Sequence, residues 1–302
     1  NLYGAEIEVQ GFSGYLAELL IIAYGSFINT LINATQWRVY KTCIDIEHHY
    51  KSEEECVEKF RGSPIIVVDP VDAKRNAAAA VSLKKLSMFK LLAKLFIDNP
   101  SKKFFDVNTK SLDVEPVEHF IDERINRYGS CLFLALYNIL SSIPDIIWGQ
   151  LYKLKNAVVR SFTSYGIDSD IYADIWVDMH SLKAALVVEV LQCSKKVKLH
   201  VGPYAYDVVN AIKFLKKNKN AGIGPWIGDD GRLYCIKELE FGDLVKYFSN
   251  ILSSINLSGM KLDNIFLVRN VEDIPMLGQQ FIKWLRNFLA RKHLEKIADI
   301  IS

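Results

Sequence analysis

Apolar side chains in the first third of the chain recur at helical spacing. Phe12, Tyr15, Leu16, Leu19, Leu20, Ala23 and Phe27 share one face of a 3.6-residue repeat, which predicts a long helix starting at Ser13, a good N-cap. Residues 51–62 are charged and poor helix formers and read as a loop. The apolar run 64–68 then reads as a short buried strand. Asp69, Pro70 and Asp72 break it, and a second long helix is expected over 76–96, ended by Asn99 and Pro100. Residues 1–100 therefore form a mainly helical unit.

Further on, the pattern changes. A helix near 117–128 leads to a β-like run at 131–137, followed by a helix over 148–165 and a hairpin of strands at 173–179 and 184–192. A helix at 206–217, a strand at 232–237 and a helix at 241–255 come next. The order β-α-β-β-α-β over 131–238 is that of a ferredoxin-like split βαβ sandwich. A strand at 265–268 and a helix at 276–291 close the pattern. The expected class is α+β: a helical domain at 1–100, a ferredoxin-like body at 101–256 and a small α/β tail at 257–302.

Half of the residues are hydrophobic and 24% are charged, which is globular composition with enough apolar mass for sizeable cores. The net charge of +2 decides nothing, but its distribution does. Seven lysines and a single acid, Asp207, lie between Lys195 and Lys219. Five Lys/Arg residues face Glu295 alone between Lys283 and Lys296. Such clusters suit a phosphate-rich partner, although two helices with solvated basic faces would give the same pattern. The uncharged stretch 19–37 holds Gly25, Ser26, Asn29, Thr30, Asn33, Thr35 and Gln36, too polar for hydrocarbon, so it reads as a soluble helix and not a membrane span. Five cysteines at unpatterned spacings, with no C-x-x-C, argue against a structural metal and read as reduced, cytosolic thiols.

Two short stretches carry more information. One is Tyr3-Gly4-Ala5-Glu6 with Gly11-Phe12-Ser13-Gly14-Tyr15-Leu16. The other is Val67-Val68-Asp69-Pro70-Val71-Asp72-Ala73-Lys74-Arg75-Asn76. Together they resemble the central region of the archaeal-type (class I) CCA-adding enzymes. Ile143-Pro144-Asp145-Ile146 and Val201-Gly202-Pro203 echo the same family further along. Ala17 and Ala77 stand where its members often have Cys and Val. The resemblance implies a tRNA nucleotidyltransferase that builds the 3′-terminal CCA from CTP and ATP with Mg²⁺, in the cytoplasm, with tRNA as partner, no membrane, and a homodimer left open. In that family both stretches follow a catalytic head domain, and only Asn1 and Leu2 precede them here. The expectation is therefore a chain whose catalytic carboxylates and Mg²⁺ site belong to a missing head.

Nucleotidyl transfer needs carboxylates for two metals, in a Gly-Ser turn followed by acid-x-acid on a strand. Gly25-Ser26 is followed by no acid before Asp45 and falls inside a predicted helix. Asp168-Ser169-Asp170 has the spacing but no such turn before it, and reads as a solvated loop. By resemblance, Tyr3 contacts the incoming nucleoside triphosphate and Arg75 reads its base. Arg75 sits at the mouth of the helix predicted from residue 76, whose free N–H groups attract anions. A salt bridge from Arg75 to Asp69 or Asp72 is the equally open structural alternative, and a frayed end is the alternative for Tyr3. For the RNA backbone the candidates are Lys213, Lys216, Lys217 and Lys219. Tyr137, Trp148, Trp176, Trp226 and Trp284 could stack bases but at their spacing read as core. His48-His49 and Glu53-Glu54-Glu55 read as solvated loop. A poly(A)-polymerase or oligoadenylate-synthase-like enzyme, and a non-catalytic RNA-binding protein, are the alternative functions.

Overall fold

A computed structural model describes residues 2–105, 116–164, 171–191, 197–238, 241–275 and 277–291. The chain divides into two compact units, the first within residues 1–109 and the second over Lys110–Arg291.

The first unit contains helices α1 (Gly14–Tyr24), α2 (Phe27–Gln36), α3 (Glu53–Lys59) and α4 (Leu83–Asp98), and a parallel pair of short strands, β1 (Cys43–Ile44) and β2 (Ile66–Val67). Serine caps every one of these helices: Ser13, Ser26, Ser52 and Ser82 each accept a hydrogen bond from a first-turn N–H. Leu16, Leu19, Leu20, Leu31, Ala34, Trp37, Val67 and Leu86 close one core between the helices and β2. Each large apolar side chain withdrawn from water there contributes about 1.5–3 kcal/mol.

Four expectations that touch this unit are corrected. The first long helix is two, bent by 90° at Gly25, which ends α1 with φ +79°, while Ser26 starts α2. The supposed loop at 51–62 contains α3, because Ser52 and the acidic first turn Glu53-Glu54-Glu55 outweigh weak propensity. The second long helix begins at Leu83 and not at residue 76, since residues 69–79 are held as turns by side chains. Cys43 and Cys56 are disulfide-bonded, with Cα atoms 6.3 Å apart, and Cys131 is disulfide-bonded as well, against the expectation of reduced thiols. Spacing along the chain does not report which strand and helix bring two cysteines together. Cys235 is free and buried. Among the described residues no single helix is long and apolar enough to cross a membrane.

The second unit is built on an antiparallel sheet of β3 (Cys131–Ile139), β4 (Ile171–Asp178), β5 (Lys183–Val190) and β9 (Met260–Val268), in the order β4-β5-β3-β9. Around it lie α5 (Val117–Asp122), α6 (Pro144–Ser164), α8 (Phe241–Ser254) and α9 (Gln279–Ala290). Alternate β3 residues face opposite cores. Phe133, Ala135 and Tyr137 pack with Leu151, Val158, Phe162 and Phe248 of α6 and α8. Leu132, Leu134 and Leu136 pack with Phe120 of α5 and Phe281, Leu285 and Phe288 of α9. A strand covered on both faces reads as a continuous apolar run, and 131–137 does.

The class is α+β, but the second half of the βαββαβ order differs from the expectation. The closing helix and strand are α8 and β9; β9 pairs with β3 along its length, so the sheet continues past residue 256. The helix at 206–217 and the strand at 232–237 instead belong to an insertion between β5 and α8. There α7 (Val208–Lys217) packs on a separate three-stranded sheet of β6 (Val197–Tyr204), β8 (Arg232–Glu238) and β7 (Ile223–Ile227), in that order. Chain order alone fits both choices; only the pairing separates them.

Candidate functional site

The segment 67–78 in the first unit is a set of nested turns closed by its own polar side chains. Asp69 Oδ1 accepts the Val71 N–H at 3.0 Å, and Asp72 Oδ1 accepts the Lys74 N–H at 2.9 Å. The Asp69 N–H donates back to the Arg75 carbonyl at 3.0 Å. Buried Asn76 bridges both ends: its Oδ1 accepts from Val67 N and Ala78 N, and its Nδ2 donates to the Ile65 carbonyl. From outside the segment, the Tyr50 hydroxyl donates to the Ala73 carbonyl. Asp69, Asp72 and Asn76 thus each satisfy a backbone group of the turn.

Arg75 projects from this turn. One guanidinium nitrogen lies 3.3 Å from Asp69 Oδ2, and the side chain remains 64% exposed while that of Asp69 is 5% exposed. Tyr15 of α1 donates its hydroxyl to Asp69 Oδ1 at 3.1 Å, and the Arg75 guanidinium lies 5.9 Å from the Tyr15 ring centre. The Val71 N–H, with help from Tyr15 and Arg75, holds the Asp69 carboxyl below its ordinary pKa; desolvation pushes the Tyr15 hydroxyl above its own. Arg75 and Tyr15 border a cleft of about 690 Å³, with Ser13, Asp72, Lys74 and Asn76 on its walls. The cleft offers a tethered, planar cation able to meet a base edge or a phosphate with its exposed prongs.

The expected salt bridge is present, to Asp69 and not to Asp72. The helix N-terminus expected beside Arg75 is absent, because the helix starts eight residues later at Leu83, capped by Ser82. Tyr3 pairs in a parallel bridge with Phe12, and the Gly4 N–H and Phe12 N–H bond across the loop to Phe12 and Leu2 carbonyls at 2.8 Å. A Cβ on Gly11 would lie 2.1 Å from the Leu2 carbonyl, which is why glycine stands there. The Tyr3 ring is 67% exposed and is not among the residues lining the cleft. Tyr15, Tyr50 and Asn76 were not singled out by sequence: Tyr15 sits on an apolar helical face and bonds a residue 54 positions away.

In the second unit Lys213, Lys216 and Lys217 lie on α7 and Lys219 just beyond it, all exposed. Of the aromatics, Tyr137 and Trp176 are core, Trp148 and Trp284 pack against core clusters, and Trp226 stacks on Tyr234 at 5.7 Å. Glu53 pairs with Arg38, and His49 meets the Pro70 carbonyl. Arg291, in the second basic cluster, is not solvated: it pairs with the fully buried Glu189. Asp168-Ser169-Asp170 lies outside the described residues. Among the described residues no group of three or more His, Cys, Asp or Glu could hold a metal ion.

Residues 1–106 match the second domain of the tRNA nucleotidyltransferases, and residues 128–258 match the C-terminal domain of the CCA-adding enzymes. The chain belongs to the CCA-adding enzyme family. The CCA-adding enzymes of Saccharolobus islandicus and Saccharolobus solfataricus are each 35% identical to it over 95% of this chain and 61% of their own length. That of Sulfolobus acidocaldarius is 38% identical over 84% of this chain and 54% of its own. The chain thus spans between about half and three-fifths of the length of these relatives.

Proposed function

We propose that this chain is the nucleotide- and tRNA-handling portion of a CCA-adding tRNA nucleotidyltransferase, which joins CMP, CMP and AMP from CTP and ATP to the tRNA 3′ end. The observation that carries this reading is the Arg75 cleft: the family's turn is intact, and its arginine is tethered at one nitrogen and open at the rest. Arg75 meets the incoming base or the adjoining backbone phosphate, and Lys74 adds charge to the same wall. Tyr3 contributes to the nucleotide from the neighbouring loop. Lys213, Lys216, Lys217 and Lys219 meet the tRNA backbone, so affinity falls steeply with salt.

The described residues do not fit the Mg²⁺ ions of nucleotidyl transfer, since they assemble no carboxylate set. No chemical step is therefore assigned to them, and the chain by itself binds tRNA without extending it. The test is to incubate it with tRNA lacking CCA, labelled CTP, ATP and Mg²⁺. Salt-sensitive binding with no extension is expected. Incorporation by a preparation free of other enzymes would contradict the division of labour, and absence of tRNA binding would contradict the reading itself.

A further inference from the structure

Phe60 and Ser63, just after α3, line the Arg75 cleft together with residues of the turn. The Phe60 N–H donates to the Cys56 carbonyl at 3.1 Å, so Phe60 follows the end of α3. That helix is weakly anchored. It has seven residues, too few to persist without outside contacts, and Cys56 is the buried one. Cys56 joins Ile66 and Val68 in a small cluster apart from the main core of the unit, with Cys43, Tyr50 and Phe60 packed against it. The disulfide ties α3 to Cys43 of β1, a strand held in place by its pairing with β2.

The stretch between the two cysteines also reaches the turn directly. Tyr50 donates its hydroxyl to the Ala73 carbonyl, and a ring nitrogen of His49 lies 3.1 Å from the Pro70 carbonyl. The Tyr50 ring meets that of Phe60 edge-on, with centres 6.0 Å apart. The disulfide loop therefore touches both the backbone that carries Arg75 and a ring that lines the cleft. Without the cross-link, α3 keeps the exposed Arg38–Glu53 pair, which contributes little, and the bond from the Cys43 N–H to Glu53. A cross-link restricts the open chain, so cutting it favours release.

We propose that the Cys43–Cys56 disulfide is a redox latch on the nucleotide cleft: closed, it holds Phe60 and Tyr50 against the Arg75 turn, and opened by a dithiol it releases α3 and weakens nucleotide binding. The proposal rests on the reading of that cleft as the nucleotide site and adds its regulation. Cys43 is half-buried and Cys56 buried, so exchange begins at Cys43. A thiolate of the dithiol attacks Cys43 Sγ, and Cys56 Sγ leaves as a thiolate and takes up a proton. The second thiolate of the reductant then attacks the mixed disulfide, which frees Cys43 as a thiolate that is protonated in turn. Two electrons pass to the protein, and the dithiol ends as a disulfide.

The test compares an extension-competent enzyme that contains this chain, oxidised and after dithiothreitol, with the state of Cys43 and Cys56 read by thiol labelling. Reduction should raise the KM for CTP and ATP about two- to ten-fold, the worth of one net hydrogen bond, with kcat and tRNA affinity nearly unchanged. Cys43→Ala combined with Cys56→Ala should show the raised KM from the outset and no response to dithiothreitol. Tyr50→Phe, with the disulfide intact, should reproduce most of the rise. Equal KM values in the two states, or a disulfide that dithiothreitol does not open in the folded protein, would overturn the latch and leave a structural staple. A response that persists in the double variant would belong to the disulfide at Cys131 and overturn it too. So would an unchanged KM in Tyr50→Phe, or a loss of kcat and tRNA affinity alongside the KM change, which would report general unfolding. If the double variant does not fold, the wild-type comparison and Tyr50→Phe still decide. Nucleotide selectivity indifferent to Arg75→Lys would overturn the nucleotide reading itself, and the latch with it, whatever the redox response.

Discussion

Both units bury a carboxylate against arginine, and they differ in what happens to the arginine. Asp69 in the first unit is 3% exposed, but its partner Arg75 keeps a side-chain exposure of 64%. Glu189 in the second unit is fully buried in β5, and its partners Arg124 and Arg291 are 19% and 24% exposed. Arg291 also lies 3.8 Å from the Tyr172 ring centre, and Arg124 donates to the Leu289 carbonyl at 2.7 Å. The ion pairs at Glu189, a hydrogen-bonded one to Arg291 and a longer one of 3.8 Å to Arg124, join β5 to the end of α9 and the segment after α5. At Asp69 the carboxylate is held by Val71 and Tyr15, and the arginine is left over. Identical ionic chemistry thus serves as a clamp in one unit and as a tether in the other, and exposure of the cation tells them apart.

Breaking the clamp should have the largest effect. Glu189→Ala would leave two largely covered guanidinium groups without a counter-charge, a loss of about 3–5 kcal/mol. For a unit of this size that is a fall in melting temperature on the order of 10 °C, readable by circular dichroism. A change of only a degree or two would mean that Arg124 and Arg291 find other partners. Loosening the tether should matter less. Tyr15→Phe removes one hydrogen bond to Asp69 while Val71 N–H and Arg75 remain, a loss of about 0.5–1.5 kcal/mol. A destabilisation as large as that of Glu189→Ala would make the tether a second clamp.

Much of this architecture is legible in the sequence where one physical signal dominates. The apolar run at 131–137 announces a strand covered on both faces, and Ser13 marks the start of the first helix. What is illegible depends on pairing. In β6 the apolar Leu199 and Val201 are exposed, and β7 is largely exposed, so neither strand has the buried apolar face that marks a core strand. With those two unseen, 206–238 looked like the end of the ferredoxin-like order and 260–268 like a tail. Gly25 was read as a tolerated helix residue because the apolar repeat continues beyond it, although its left-handed backbone turns the chain. At the site, Arg75 and Asp69 were legible from the turn that holds them, whereas Tyr15 and Tyr50 reach it from distant elements.

Arg75→Lys separates tether from clamp most directly, since it keeps the charge and loses the planar fork. On the proposed reading, the change is tested in an extension-competent enzyme that contains this chain, with melting temperature and the CTP-versus-ATP selectivity of tRNA extension measured on the same preparation. An exposed ion pair contributes about 0–1 kcal/mol, so the melting temperature should stay within a degree or two. Selectivity should deteriorate by about 1–3 kcal/mol of transition-state discrimination, roughly 5- to 150-fold. A clear fall in melting temperature with the CTP/ATP ratio intact would contradict the account and place Arg75 with Arg291, as structure.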